Sequence, residues 1–295
     1  MVTKTAMITI AGRPNVGKST LTNFLVGEKI AIVSNKPQTT RNRICGIVTR
    51  DDTQYVFVDT PGFHKARTKL GDYMVNVTKN SIADVDLTIM MVEPIASIGP
   101  QEQGLIDQLK ASRCPVVLAI NKIDSVEKDI LLEVIALYSQ AADFVAIIPI
   151  SAKTGDGVEE LLKICKKYAI ESPFLFPEDS TTDQPERQVM AEIIREKLLW
   201  TLDREVPHGT AVEITKFSER DNGIIDIDAT IYCEKASHKG IIIGKQGAML
   251  KKISSMARTD CEKFMGTRVY LTTWVKVKEN WRDSDFLVRN FGYRE

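Results

Sequence analysis

Residues 12–19 read GRPNVGKS, a glycine-rich run whose residue types and spacing suit a phosphate-binding loop. Glycines let backbone N–H groups converge on phosphate oxygens, and the final lysine and serine supply a cation and a hydroxyl. An apolar stretch precedes the run and an amphipathic stretch follows it, so a strand should end and a helix should begin here. The helix N-terminus adds partial positive charge. The pattern predicts a nucleotide phosphate site in which Lys18 bridges the outer phosphates and Ser19 offers its hydroxyl to Mg²⁺.

A second segment whose residues could take part in catalysis, DTPG at residues 59–62, directly follows a hydrophobic run. At the end of a strand, the Asp59 carboxylate can approach a magnesium ion and the Gly62 N–H can face a γ-phosphate. An ordinary strand-ending turn is the alternative interpretation of this segment alone. The spacing after residues 12–19 suits a Ras-like domain, and the two segments together favour a catalytic site.

Base selection is predicted from NKID at residues 121–124 and SAK at residues 151–153, each at the end of an apolar run. Ligands of an open α/β sheet bind beyond the carboxyl ends of its strands. The Asp124 carboxylate can accept hydrogen bonds from guanine N1–H and the exocyclic amine, a donor pair that adenine lacks. Lys122 is expected to lie along the base, and Asn121 to tie this loop to the phosphate loop. The pattern predicts GTP and GDP as ligands.

The loop QTTR at residues 38–41 lacks helical or strand periodicity. We expect it to be the first switch, which carries a threonine to Mg²⁺ when the γ-phosphate is present. We favour Thr40 over Thr39 as the Mg²⁺ ligand because the loop resembles the TTR loop of other GTPases. Thr39 stays open as the alternative. The second switch is expected to follow Gly62 and to run through roughly Asn80.

Hydrolysis is expected to be slow because Phe63 stands where many Ras-type proteins have a glutamine that orients the attacking water. Catalysis would then depend on phosphate positioning and charge stabilisation by Lys18, by Thr40 with Mg²⁺, and by the N–H of Gly62. Asn15 leaves K⁺ open as a further cofactor, since related GTPases with asparagine at this position can hold that ion beside the phosphates.

The predicted nucleotide and metal contacts come from these segments, with SAK supplying a backbone contact to the base oxygen. The nucleotide contacts are Gly12, Arg13, Pro14, Asn15, Val16, Gly17, Lys18, Ser19, Thr20, Asp59, Gly62, Asn121, Lys122, Asp124, Ser151, Ala152 and Lys153. The magnesium ligands are Ser19, Thr40 and Asp59.

A different chemistry is indicated by GKQG at residues 244–247, since KH domains use a G-x-x-G loop to clamp single-stranded nucleotides. Alone, the four letters are more often a plain turn between helices. Residues 235–278, however, carry ten basic side chains against two acidic ones, a net +8 in a chain whose formal net charge is zero. This local excess is what phosphate contacts require. The candidate RNA contacts are Ile241, Ile243, Gly244, Lys245, Gln246, Gly247, Lys251 and Lys252.

Short β-branched runs alternate with helical patterns over residues 5–170, and these elements must position the nucleotide-binding groups. This alternation predicts an α/β fold class, a Ras-like P-loop GTPase domain with a mostly parallel six-stranded sheet and helices on both faces, at residues 1–171. An Asp-Asp hairpin at 51–52 makes one edge strand antiparallel. The expected strands are 6–11, 44–50, 54–59, 87–92, 115–121 and 144–150, and the expected helices 18–26, 66–84, 100–111, 128–140 and 157–169.

The periodicity stops at residues 172–185, where three prolines among acidic and hydroxyl residues predict a linker. An α+β type II KH domain is expected at 186–279, with the order helix, strand, strand, helix, helix, strand. These elements are placed at 186–205, 212–218, 224–233, 238–243, 248–265 and 268–277. The tail, 280–295, is left unassigned.

The composition is that of a soluble protein: 295 residues, of which 26% are charged and 43% hydrophobic. The longest apolar runs are strand-sized and too short for a membrane span. The N-terminus has no pattern of a secretory signal, so a cytoplasmic location is expected. The five cysteines are scattered without a C-x-x-C pair, which argues against disulfides and zinc.

Taken together, GRPNVGKS, QTTR, DTPGF, NKID and SAK, followed by GIIIGKQG, resemble the Era family of bacterial GTPases over nearly the whole chain. The resemblance implies a factor in small ribosomal subunit assembly that couples ribosome biogenesis to growth. It also implies that the KH module binds the 3′ end of small-subunit ribosomal RNA, with GTP binding and hydrolysis controlling attachment and release. Peripheral association with the cytoplasmic membrane is implied as well. A monomer is expected.

Two other classes of function stay open from the residues alone. A membrane-associated cell-cycle signalling GTPase with a protein effector would tolerate substitutions at Gly244 or Lys245. An RNA-modifying enzyme driven by GTP is disfavoured, because the sequence shows no second catalytic constellation.

Overall fold

The computed structural model describes residues 2–62, 68–83, 85–112 and 114–293 of the chain. Phe63, on which the expectation of slow hydrolysis depends, lies outside the described residues, as does part of the second switch. Within the described ranges the chain forms two compact units. The first comprises residues 2–31, 40–62 and 74–183, and the second comprises 32–39, 68–73 and 184–293.

The first group of elements alternates strands and helices, as the sequence predicts. In chain order they are β1 (Lys4–Gly12), α1 (Lys18–Val26), β2 (Ile44–Arg50), β3 (Thr53–Asp59), α2 (Lys69–Ala83), β4 (Leu87–Val92), α3 (Pro100–Ser112), β5 (Val116–Ile120), α4 (Lys128–Ala141), β6 (Ala146–Pro149), α5 (Val158–Lys166) and β7 (Ile170–Glu171). The predicted strands all form, with bounds shifted by at most two residues.

The predicted sheet follows the order β2-β3-β1-β4-β5-β6, to which the two-residue β7 adds antiparallel to β1. Only the β2–β3 hairpin departs from parallel pairing along that path, as its Asp51-Asp52 turn predicts. Parallel pairing brings strand ends to one edge: Ile10 of β1 pairs with Asp59, and Val92 of β4 pairs with Ile120. The loops that follow β1, β3, β5 and β6 therefore emerge side by side.

The sheet is buried on both faces, which is why its strands are continuous apolar runs. All residues of β3, β4 and β5 are buried. One apolar layer packs Ile10 and Phe57 against Leu161 of α5, and the other packs Leu118 against Leu105 of α3 and Tyr138 of α4. These layers hold the strand ends rigidly, as a preorganised site requires.

The second unit has the predicted order of elements, followed by a short helix in the tail. They are α6 (Glu186–Thr201), β8 (Ala211–Glu219), β9 (Ile225–Cys233), α7 (Ala236–Ile243), α8 (Ala248–Met265), β10 (Val269–Val277) and α9 (Asp285–Asn290). Its sheet has the order β10-β9-β8, with β9 parallel to β10 and antiparallel to β8. Apolar residues of α6 and α8 cover one face, among them Ile194, Leu198 and Ile253.

Two expectations about element ends need correction. The helix expected to reach residue 205 ends at Thr201, because Leu202 has extended backbone angles and Arg204 has a positive φ of 56°. The helix expected to reach residue 169 ends at Lys166. The tail, which the sequence left unassigned, is docked: Trp281 is fully buried and its Nε1 donates to the carbonyl of Gly209 at 2.9 Å.

The stretch expected as a linker is bonded to the first unit through Asp183, whose carboxylate accepts from the N–H of Cys45 at 3.0 Å. Among the described residues, none of the helices combines the length and the apolar character needed to cross a bilayer.

Candidate nucleotide site and RNA-binding loop

The phosphate loop connects the buried end of β1 to the first turn of α1. Gly17, directly before α1, has a φ of 105°, and a Cβ there would overlap the side chain of Asn121. A Cβ on Gly12 would lie 2.5 Å from the carbonyl oxygen of Met91 in β4. Since left-handed backbone and such close approaches exclude side chains, both positions require glycine. The result is a helix N-terminus with exposed N–H donors, which is an anion-binding arrangement.

Lys18 is held inside this loop. Its side chain is 6% exposed, and Nζ donates to the carbonyls of Gly12 at 3.2 Å and Arg13 at 3.0 Å. Burial lowers the pKa of Lys18 to about 8, and the nearby Asp59 carboxylate opposes that shift. A buried ammonium group bonded only to neutral carbonyls is poorly compensated, so a phosphate would be a much stronger partner.

An oxygen-rich cluster lies beside Lys18. The Ser19 hydroxyl donates to Asp59 Oδ2 at 2.6 Å and lies 2.9 Å from the Thr40 hydroxyl. Burial raises the pKa of Asp59, while Lys18, Ser19 and Thr40 lower it. The other carboxylate oxygen of Asp59 is buried without a hydrogen-bond partner. Two hydroxyls and an unsatisfied carboxylate oxygen fit a hard divalent cation such as Mg²⁺.

Thr39 does not join this cluster. Its hydroxyl donates to the carbonyl of Lys36 at 2.6 Å. The geometry therefore favours Thr40, of the two threonines left open by the sequence, as the residue beside Ser19.

The loops after β5 and β6, which are predicted to bind the base, are bonded to each other and to the phosphate loop. Asn121 is 3% exposed; its Nδ2 donates to the carbonyl of Val16 at 2.7 Å, and its Oδ1 accepts from the N–H of Ala152 at 2.8 Å. Asp124 Oδ1 accepts from the Ser151 hydroxyl at 2.8 Å. The structure thus brings three separate segments together through one buried amide, and leaves the Asp124 carboxylate exposed at the edge of the sheet.

Two acidic residues that the sequence analysis missed complete this region. Glu93, which follows β4, accepts from Lys122 and lies 3.1 Å from an Arg13 nitrogen. Glu102 of α3 is 5% exposed and lies 2.5 Å from Arg13 Nε. The placement of Glu93 directly after a buried strand was an available signal, because the ends of parallel strands meet at one edge.

The remaining predicted residues lie in the same loops. Gly62 approaches the phosphate loop so closely that a Cβ there would lie 2.7 Å from the backbone nitrogen of Pro14. Asn15 has a positive φ of 68°. Thr20 lies in the first turn of α1, and Lys153 is exposed two residues after Ser151.

The predicted RNA-binding loop connects α7 to α8 in the second unit. Gly244 has φ 73° and ψ 177°, and Gly247 has φ 78° directly before α8. Lys245 and Gln246 between them are exposed, and Gln246 has a positive φ of 51°. Ile241 is 49% exposed at the end of α7. The structure therefore presents two polar side chains and an apolar one next to a helix N-terminus.

The other predicted RNA contacts lie on either side of this loop. Ile243 is partly buried at the end of α7, while Lys251 and Lys252 are exposed in the first turns of α8.

This fold and these loops define a class of protein in which one chain combines a P-loop GTPase domain with a KH domain. Family models agree: one described as a 50S ribosome-binding GTPase matches residues 7–122, and one described as a KH domain matches residues 205–282. GTPase Era of Ruminiclostridium cellulolyticum is 54% identical over 291 residues, covering 99% of this chain and 98% of that protein. The chain belongs to the Era family of GTPases.

Two solved structures match along the full length. A crystal structure of Era with MgGDPNP and nucleotides 1506–1542 of 16S ribosomal RNA has a TM-score of 0.94 at 37% identity, covering 99% of this chain and 100% of that one. A variant of Aquifex aeolicus Era bound to GDP·AlF4⁻ has a TM-score of 0.93 at 37% identity, covering 100% of both chains. The predicted fold class and the assignment as a GTPase are confirmed.

Proposed function

We propose that this GTPase binds the 3′ end of small-subunit ribosomal RNA through its KH domain and acts in assembly of the small subunit. The observation that carries the RNA part is the exposed GKQG loop, with Lys245 and Gln246 free of the packed core and a net +8 over residues 235–278. A relative of nearly identical fold holds nucleotides 1506–1542 of 16S ribosomal RNA. Both support single-stranded RNA as the partner.

The nucleotide is proposed to occupy the carboxyl edge of the first sheet, over the segments predicted from sequence. The N–H groups at the start of α1 and Lys18 would bind the phosphates, and Asp124 would select guanine. Ser19, Asp59 and, in the GTP state, Thr40 would hold Mg²⁺, which would neutralise negative charge on the phosphates. The related structure contains MgGDPNP, which supports Mg²⁺ and a guanine nucleotide as the ligands.

Hydrolysis is proposed to depend on positioning more than on a general base. Lys18, drawn away from the carbonyls of Gly12 and Arg13, would stabilise charge on the transferred phosphoryl group, and the N–H of Gly62 would orient it. The buried arrangement of these groups excludes bulk water and strengthens their electrostatic effect. A slow intrinsic rate follows from Phe63 in the sequence.

Three finer parts of the proposal depend on the family resemblance. These are a K⁺ ion beside Asn15, a cytoplasmic location with peripheral attachment to the membrane, and a monomeric state.

The test is fluorescence anisotropy of labelled RNA with the full chain bound to GDPNP. We expect tight binding to the 3′ end of 16S RNA, and a loss of about tenfold or more in the double variant Lys245→Asp/Gln246→Asp, since two acidic side chains would face phosphates. Lys128→Asp/Gln140→Asp is the matched control, because it makes the same change of charge at two exposed residues of α4, outside residues 235–278.

The choice of RNA is part of the same experiment. The matching GTPase family model is described as 50S ribosome-binding, which refers to the large subunit, whereas the related structure contains a fragment of 16S ribosomal RNA. Equal affinity for large-subunit RNA fragments of the same length, or equal binding by the double variant, would contradict the proposal.

A further inference from the structure

Helix α6 buries three consecutive charged residues, Arg195, Glu196 and Lys197, which are 0%, 0% and 1% exposed. Buried charges are costly unless they are paired and hydrogen-bonded, and apolar residues of similar size would often be no less stable. Neither the nucleotide contacts nor the RNA loop uses these side chains. Their partners therefore indicate what they do.

One partner is the loop of residues 32–39, which belongs to the same compact unit as α6. The N–H of Val33 donates to Glu196 Oε1 at 2.9 Å, and the carbonyl of Val33 accepts from Trp200 Nε1 at 2.8 Å. Both backbone groups of one loop residue are thus bonded to side chains of a single helix.

Arg195 holds the other end of this loop. Its guanidinium donates to the carbonyl of Thr39 and lies 3.5 Å from the carbonyl oxygen of Gln38. Glu192 also fixes the guanidinium, accepting from Nε at 2.9 Å. Gln38 has a positive φ of 58°, a conformation that persists only where surrounding contacts impose it.

Lys197 completes the arrangement by holding Glu196. Its Nζ donates to Glu196 Oε2 at 2.7 Å and also to Asp260 of α8. The carboxylate that accepts from Val33 is therefore neutralised and fixed in place, as a buried charge requires.

The loop ends at the threonine proposed to bind Mg²⁺. The Thr39 carbonyl, which accepts from Arg195, belongs to the Thr39–Thr40 peptide group. Because that group is planar, fixing its oxygen restricts the orientation of Thr40. Thr40 is 7% exposed and its hydroxyl lies 2.9 Å from that of Ser19.

We propose that Arg195 and Glu196 are positioning residues of the GTPase reaction, which hold residues 33–39 so that the Thr40 hydroxyl reaches the magnesium cluster. The inference rests on the role of Thr40 in the proposed function. Because that threonine binds Mg²⁺ only when the γ-phosphate is present, these residues stabilise the GTP state and leave the GDP state unaffected.

The test compares the affinities of the full chain for fluorescent analogues of GDP and GDPNP. We expect Arg195→Met to lower the affinity for GDPNP about tenfold and kcat about tenfold, because buried hydrogen bonds from a charged donor are lost. The affinity for GDP should not change. Arg195→Lys should recover part of the loss, because one ammonium can still reach the Thr39 carbonyl. Arg187→Met is the matched control, an exposed arginine on the same helix.

Equal weakening of GDP and GDPNP, or no change in either, would overturn the proposal. If Arg195→Met shows no cooperative thermal unfolding, Glu192→Gln takes its place, because it loosens the guanidinium without removing it. Thr40→Ala separates the two levels of the argument. If it leaves the ratio of the two affinities unchanged, the role of Thr40 itself fails; if only the Thr40 variant changes that ratio, positioning by α6 fails alone.

Discussion

The nucleotide edge and the GKQG loop are both proposed to bind phosphate groups, but they are built in opposite ways. At the nucleotide edge, Lys18, Asp59 and Asn121 are buried and already bonded to the groups around them. At the GKQG loop, Lys245 and Gln246 are exposed, and a Cβ on Gly247 would meet open space. A small ligand in a dry site gains from preorganised contacts, whereas a long polyanion is bound by exposed charge that follows its backbone.

The largest expected effect concerns the nucleotide edge. Asp124→Asn should weaken GDP binding about a thousandfold, because two hydrogen bonds to a charged acceptor are lost. Binding of xanthosine diphosphate should improve, since its 2-carbonyl can accept from the new amide. Isothermal titration with both nucleotides measures the change, and Asp129→Asn, an exposed aspartate in α4, is the control. An unchanged GDP affinity would remove the base-selecting role of Asp124.

Salt should distinguish the two sites next. With four phosphate contacts, RNA affinity should fall about fiftyfold between 50 and 200 mM salt, following the slope for single strands. GDP affinity should change far less, because its phosphate contacts are buried and poorly screened. Anisotropy across the salt series checks both ligands. Parallel slopes for RNA and GDP would mean that the two sites do not differ in the way described.

A smaller effect is expected from pH at the nucleotide site. The pKa of Lys18 is lowered to about 8, so the free protein loses the proton that phosphate binding requires as pH rises. GDP affinity should therefore be constant below pH 8 and fall about tenfold for each pH unit above it. The Lys18→Arg variant keeps its charge and should lack this decline. A wild-type profile that follows the Lys18→Arg profile would contradict the buried-lysine account.

The smallest effect separates two glycines of the RNA loop. A Cβ on Gly244 would lie 2.7 Å from Met249 Cβ, whereas one on Gly247 meets nothing within 4 Å. Both have positive φ, but the angles of Gly244 fall in a region essentially restricted to glycine. Gly247→Ala should cost about 1–2 kcal/mol and Gly244→Ala about 1 kcal/mol more. Denaturant unfolding measures the difference, and equal costs would show that the Met249 contact is easily relieved.

Local patterns predicted what is encoded locally. GRPNVGKS, DTPG, NKID and SAK each stand at a strand end, so their types and spacing already indicated one shared edge of the sheet. The strand β2 and helix α1 were predicted to the residue for the same reason, because periodicity and turn residues mark their ends.

Long-range pairings were not predictable in this way. Glu93 and Glu102 meet Arg13 only after the sheet has formed, across 80 and more positions of sequence. In the sequence, Arg195, Glu196 and Lys197 look like a solvated stretch of helix. In the fold, the loop of residues 32–39 bonds to Arg195 and Glu196, and Asp260 of α8 bonds to Lys197. The end of α6 was placed four residues too late, since the extended backbone of Leu202 is not marked by glycine or proline at that position.

The central claim is that the exposed loop of this GTPase selects the 3′ end of small-subunit ribosomal RNA. The most direct test is the pool of RNA crosslinked in cells to the intact chain, compared with the pool from Lys245→Asp/Gln246→Asp. We expect enrichment at that 3′ end in the wild type and its loss in the variant. An unenriched pool, or one that the variant leaves unchanged, would contradict it.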